Sequence, residues 1–272
     1  MPDYLVESQI NRVHVVGLGG TGSWFIEPFA RLLSSTIASR RNPVELVLID
    51  GDRKESKNEA RQSLPGAVSQ YKSDIHADRI NKLGLKHVTA TSIPKYLWSY
   101  DWVDHEFFKD IEDEAILLEE LDFISLPCMV LCPDNNFIRR ITLEFLRNNE
   151  SRDSIYIWTM AGNETHTGNA NIDASFFVNS EKRVITYDPF KLHPELAEAE
   201  PEREDISCQE RAERGDEQTL LANYMAASAL LHFWNSILIR KCIDQSELVF
   251  NTKDCKLLPL HASKFTVHID LD

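Results

Sequence analysis

The sequence predicts an α/β fold: a doubly wound, mostly parallel sheet with a C-terminal β extension and an acidic crossover loop. Three observations predict it. The apolar run Val13–Val16 feeds into Gly17-Leu18-Gly19-Gly20-Thr21-Gly22 and then an apolar helix. Short apolar runs alternate with helical stretches as far as Met160, the pattern of parallel strands joined by right-handed crossovers. Beyond it, Ala170–Val178 and Arg183–Tyr187 read as consecutive strands joined at Asn179-Ser180.

In chain order, the glycine turn opens a helix over Thr21–Ser39, with Trp24, Phe25, Phe29, Leu32 and Leu33 near helical spacing. Arg40-Arg41-Asn42-Pro43 ends it, and Val44–Ile49 is the second parallel strand. Ala67–Leu83 suits a helix stopped by Gly84, and Val88–Ile93 a third strand. Residues 94–122 mix aromatics and acids without a period and read as an insertion. Phe123–Leu131 is a buried strand, Asn136–Arg147 a helix and Ile155–Met160 a strand. Residues 195–217 are charged and poor in large apolar side chains, an exposed mobile loop. Gln218–Ile239 is a long apolar helix, and Leu248–Asn251 and Leu257–His261 read as edge strands.

Composition narrows the function. With 272 residues, 43% hydrophobic and 26% charged, the chain can bury a full core. A formal charge of −14 argues against nucleic acid as the main partner. The acid is concentrated in 101–122 and 195–217, which read as solvated surface or as a docking face for a basic partner. No apolar stretch approaches the roughly 18 residues a membrane span needs. Met1–Tyr4 lacks the basic and apolar regions of a secretory signal, so a cytoplasmic protein without a membrane partner is expected. Cys128, Cys132, Cys208, Cys242 and Cys255 form no Cys-x-x-Cys pair, so no structural zinc is expected. The histidines form no metal pattern.

The glycine turn feeding a helix is a Rossmann-like phosphate site, compatible with several nucleotides. The segment after the second strand is more selective. Asp50-x-Asp52, Asn58, Arg61 and Gln62 put acids, amides and a guanidinium in one short loop. A dinucleotide needs only the ribose acid, whereas a triphosphate uses a guanidinium that pairs bidentately with its oxygens. Lys72 alone would be a solvated helix lysine, and Asp134 alone a helix N-cap. Together with the loop, they read as a second cation and a carboxylate for Mg²⁺ at the C-terminal end of a parallel strand.

Gly17-x-Gly19-Gly20-x-Gly22, Asp50-x-Asp52, Asn58, Arg61-Gln62, Gln70-x-Lys72 and Cys132-Pro133-Asp134-Asn135 resemble, in order, the adenylation motifs of the ThiF/MoeB/HesA superfamily. Those proteins are relatives of ubiquitin-activating enzymes. The resemblance spans roughly residues 11–170. It implies ATP- and Mg²⁺-dependent adenylation of the C-terminal glycine of a small ubiquitin-like or sulfur-carrier protein. By the same resemblance Gly17, Gly19, Gly20 and Gly22 shape the nucleotide turn and Asp50 takes the ribose. Asn58, Arg61 and Lys72 bind the triphosphate, Gln62 belongs to the cofactor-binding set, Asp52 supports the metal or positions Arg61, and Asp134 ligates Mg²⁺.

Ser207-Cys208, Gln218, Asn223 and Leu230-Leu231 are similar to ThiF-like proteins of PRTRC gene clusters, a likeness that singles out Cys208 as a thioester-forming thiol. A single ThiF-like domain over 1–272 is then expected, with an insertion at about 94–122, a mobile loop at about 190–217 and a C-terminal helix and strands over 218–272. A homodimer and a downstream transfer enzyme are expected partners. Two other readings stand beside this one: adenylation of a different peptide carboxylate, and a nucleotide-binding scaffold without catalysis.

Overall fold

A computed structural model describes residues 10–36, 43–56, 59, 61–99, 113, 115–123, 126–148, 155–178, 181–200 and 219–268. Asn58 and Cys208 lie outside the described residues, as does the expected acidic loop from residue 201 onward.

The sheet begins with β1 (Arg12–Val16), followed by α1 (Gly20–Thr36), β2 (Val44–Ile49), α2 (Lys72–Lys82) and β3 (Val88–Ile93). β4 (Tyr96–Trp98) and β5 (Ala115–Leu117), within the expected insertion, pair in parallel as a separate ribbon. Next come β6 (Cys128–Leu131), α3 (Asn136–Asn148), β7 (Tyr156–Asn163), β8 (Thr167–Val178) and β9 (Glu181–Val184). Short helices α4 (Pro189–Leu192) and α5 (Pro194–Ala197) follow, then α6 (Leu220–Asn235), β10 (Cys242–Asn251) and β11 (Lys256–His268).

Strand order is β11-β10-β8-β7-β6-β1-β2-β3, with β9 on β8. The β3-β2-β1-β6-β7 half is parallel throughout, and the extension from β7 through β8 and β10 to β11 is antiparallel. This is the predicted α/β class with its β extension.

Each face carries its own core, because side chains alternate across a strand. Val13 and Val15 of β1 and Cys128 and Val130 of β6 pack with α1, α2 and α6. Val16, Met129 and Leu131 point the other way, onto Phe137, Ile138 and Ile141 of α3. In α6 the alanines Ala222, Ala226 and Ala229 are buried, and their small side chains let α1 approach closely. A π-helical turn over Ser236–Arg240 ends it, with Lys241 left-handed at φ 58°.

Several elements differ from the sequence reading; the strand expected over Arg183–Tyr187, for one, spans Glu181–Val184. The helix expected from Ala67 starts at Lys72, because Ser69 takes φ 73° and residues 69–71 pair back onto 52–54. The strand expected from Phe123 narrows to Cys128–Leu131. Leu248–Asn251 is not an edge strand: β10 lies between β8 and β11, and Leu248 and Phe250 are buried there. The start of the expected loop is helical, with Leu196 of α5 buried.

Candidate nucleotide site at the switch point

β1 is the first strand of the chain and lies between β2 and β6, so the strand order reverses direction between β1 and β6. In open α/β sheets a ligand sits outside the carboxyl ends of the strands at that point. Gly17 ends β1 with φ +82°, and a Cβ there would come 2.7 Å from the Pro133 nitrogen at the end of β6. A Cβ at Gly22 would lie 2.0 Å from the Gly17 carbonyl oxygen. Both positions therefore demand glycine, one for its dihedral and one for a close approach.

The acids after β2 are already engaged. Asp50 Oδ2 accepts the Leu18 N–H at 2.5 Å and Oδ1 accepts the Asp52 N–H at 2.8 Å, so this carboxylate fixes the glycine turn to the following loop. Burial pushes the Asp50 carboxyl up to about 6 against the pull of Lys72, and Asp52 adds to the rise.

The loop closes antiparallel on itself: Lys72 N–H donates to the Asp52 carbonyl at 2.9 Å and Lys54 N–H to the Gln70 carbonyl at 2.7 Å. That pairing sets the Lys72 ammonium 2.6 Å from Asp52 Oδ2, although Lys72 is only 5% exposed. Tyr96 donates its hydroxyl to the other Asp52 oxygen at 2.9 Å. Lys72 is thus a buried, oriented cation, not the solvated lysine its sequence position alone allows.

Gln62 is buried, and the Arg61 carbonyl accepts from Trp24 Nε1 at 2.9 Å, which ties the loop to α1. Asp134 is exposed immediately after the β6 end. It is not the helix cap: Asn135 Oδ1 accepts the Phe137 and Ile138 N–H groups at 2.8 and 3.3 Å. Asp134 follows directly on Pro133, whose nitrogen faces the Gly17 turn.

Among the described residues there is no group of three or more His, Cys, Asp or Glu that could hold a metal ion. A magnesium ion bound by one or two carboxylates and by substrate phosphates needs no such group. Asp134, an exposed carboxylate next in the chain to Pro133 at the glycine turn, fits that kind of site. Cys128 and Cys132 are buried, and burial pushes the Cys132 thiol up to about 12.

Several contacts at the site are absent from the sequence reading, although Thr21 and Asn223 stand in its motifs. Thr21 donates to Asn163 Oδ1 at 3.2 Å, and Asn163 donates to Asn223 Oδ1 at 3.2 Å, joining α1, the end of β7 and α6. Arg139 of α3 clamps the β6 and β7 ends by donating to the Pro133 and Ala161 carbonyls at 2.5 and 3.0 Å. The only sequence signal was a charged residue on the apolar face of a predicted helix. For Tyr96 there was none, because its partner lies 44 positions away.

No family model matches the chain, and no curated protein matches it. Solved structures do. The crystal structure of Escherichia coli MccB aligns with a TM-score of 0.52 at 14% identity, covering 95% of this chain and 64% of that one. This chain thus spans a little under two thirds of that structure's length. E. coli MccB with ATP gives 0.53 at 15% identity, covering 95% and 66%. The microcin C7 biosynthetic enzyme MccB in complex with N-formylated MccA gives 0.53 at 16% identity, covering 94% and 66%. At such identities the likeness is one of fold: the α/β architecture of this chain is that of the MccB structures.

Proposed function

We propose that this chain is an ATP-dependent adenylyltransferase that activates the C-terminal carboxylate of a small protein or peptide. The observation that carries the reading is the buried Lys72 ammonium held on Asp52. It comes from the same loop whose Asp50 fastens the glycine turn. A buried cation next to a phosphate-binding turn has a role in neutralising an anionic ligand. The MccB structures of like fold, solved with ATP and with N-formylated MccA, support the same reaction class.

In that reaction a carboxylate oxygen attacks the α-phosphorus of ATP. The new O–P bond forms as the bond to the β-phosphate breaks, and pyrophosphate carries the electron pair away. The encounter joins two anions, so Arg61, Lys72 and Asn58 would hold the phosphates and offset the charge that develops on them. Asp134 would hold Mg²⁺, which supplies further charge neutralisation when bound. The Gly17–Gly22 turn and the α1 N-terminus would cradle the phosphates, with Asp50 and Gln62 at the edges of the site.

The preferred partner is a ubiquitin-like or sulfur-carrier protein ending in glycine, followed by thioester formation on Cys208 and hand-over to a transfer enzyme. The exposed Leu220, Leu221 and Tyr224 on α6 support pairing of two copies as a homodimer. The fold likeness to MccB with N-formylated MccA favours, as a second reading, a short peptide carboxylate instead.

Exchange of radiolabelled pyrophosphate into ATP tests the reaction. Label should enter ATP only when a carrier or peptide with a free C-terminus is present, and Asp134→Ala should abolish exchange with the circular dichroism unchanged. Tight ATP binding without exchange for any candidate would leave only a scaffold. For Cys208, a dithiothreitol-labile carrier adduct should vanish in Cys208→Ala.

A further inference from the structure

Beside Gln62 lies an open depression of about 410 Å³, lined in part by Lys54, Glu59, Gln62, Ser63 and Arg79. Its size falls within the range of small-molecule sites. Apart from Gln62, none of these side chains belongs to the motif set read from the sequence.

Two cations reach it from different elements. Lys54 comes from the loop, and its side chain is only 5% exposed. Its ammonium donates to the Gly66 carbonyl at 2.7 Å and lies 3.2 Å from Glu59 Oε1. Arg79 comes from α2, is braced by Glu27 and donates to Ser63 Oγ at 3.0 Å. Bracing of this kind fixes a guanidinium in place before any ligand arrives.

Gln62 supplies a separate observation. It is 7% exposed, and its Oε1 is buried without a hydrogen-bond partner. Leaving such a group unpaired is costly, and a ligand that donates to it removes the cost. The Gln62 amide nitrogen lies 3.8 Å from where a side chain on Gly19 would begin, so this residue links the depression to the phosphate turn. Rotation of the amide offers either end to a ligand.

An ammonium, a guanidinium and an amide around one space match a multiply charged oxyanion. Glu59 already occupies the place such an anion would take. Its side chain is 65% exposed while the lysine it pairs with is buried, so the carboxylate can swing into water at little cost.

We propose that this depression is a diphosphate subsite, in which Lys54 and Arg79 hold phosphoryl oxygens and Glu59 is the carboxylate displaced on binding. The inference rests on the adenylation reading for the source of the diphosphate, namely the β- and γ-phosphates of ATP that depart as pyrophosphate. Free pyrophosphate presents the same chemistry.

Calorimetric titration of the full chain with sodium pyrophosphate, ATP and adenosine tests it. Lys54→Gln should weaken pyrophosphate about tenfold, the loss of one charge-assisted contact. Glu59→Gln should tighten it severalfold, because the competing carboxylate is gone, and a merely structural Lys54–Glu59 pair predicts no such gain. Adenosine affinity should stay unchanged in both variants. If the diphosphate is the nucleotide's, ATP affinity follows pyrophosphate in Glu59→Gln; if it is a free ion, pyrophosphate alone responds. Folded Glu59→Gln with pyrophosphate affinity unchanged or weaker overturns the subsite, and intact exchange activity in that variant then leaves the adenylation reading standing. A pyrophosphate response in a chain that binds neither ATP nor adenosine upholds the subsite and removes the adenylation reading.

Discussion

Gly17 and Lys72 show how much single residues decide at this site. A methyl group at Gly17 meets backbone atoms of Cys132 and Pro133, which have no flexible end to move aside, and it must also adopt φ +82°. Gly17→Ala should therefore cost about 2 kcal/mol or more in urea denaturation and weaken ATP binding as the β1 and β6 ends part. Lys72 owes its position to Asp52 and Tyr96. Asp52→Asn keeps the size but loses the charge, leaving a buried ammonium beside a neutral amide. Exchange activity should fall at least tenfold with only a small change in melting temperature; equal losses of stability and activity would make Asp52 a folding residue only.

At the scale of elements, α3 is fastened to the sheet by arginines at both ends. Arg139 bridges the carboxyl ends of β6 and β7, while Arg147 reaches Asp173 of β8 at 3.0 Å and Asp188 at 2.9 Å. Asp173 is fully buried and also accepts from Tyr156 at 2.7 Å and Thr186 at 2.8 Å. Removing the arginine strands a buried carboxylate, whereas an apolar exchange of every partner would not. Arg147→Leu should destabilise by about 3–5 kcal/mol. Arg147→Leu with Asp173→Asn should recover part of that loss in a double-mutant cycle read by denaturant unfolding.

For the whole molecule, the buried histidines set the acid limit of stability. Burial lowers His14 to about 4 and His76 to about 3, with Arg12 adding to the first and Arg79 to the second. A histidine depressed in the folded state contributes stability above pH 6.5 that is lost as pH falls toward its folded value. Each should cost about 2 kcal/mol by pH 5. Asp50, raised to about 6, acts with the opposite sign between pH 6 and 4 and offsets part of this. His193, raised by its hydrogen bond to Glu247, keeps its contribution in acid and loses it as pH rises through its folded value. The melting temperature should fall from pH 7 to 5, and less steeply in His76→Phe.

Local pattern alone determined the parallel half of the fold. β2 and β3 begin and end where the apolar runs do, and α3 differs from its expected span by one residue at one end. Their period and flanking turn residues are properties of neighbours in the chain. The glycine turn, the acids after β2 and the carboxylate after β6 were legible for the same reason. What only the tertiary structure decided is which groups meet. Asp52 lies 20 positions from Lys72 and Asn163 lies 60 from Asn223, so no spacing rule joins them. The antiparallel closure of the loop after β2 brings the first pair together, and packing of α6 against β7 brings the second. The same folding made Asp50 the clamp of the glycine turn. It gave the cap of α3 to Asn135 and left Asp134 at the edge of the site, because strand order and burial, which no short window of sequence encodes, decide which polar groups are already satisfied.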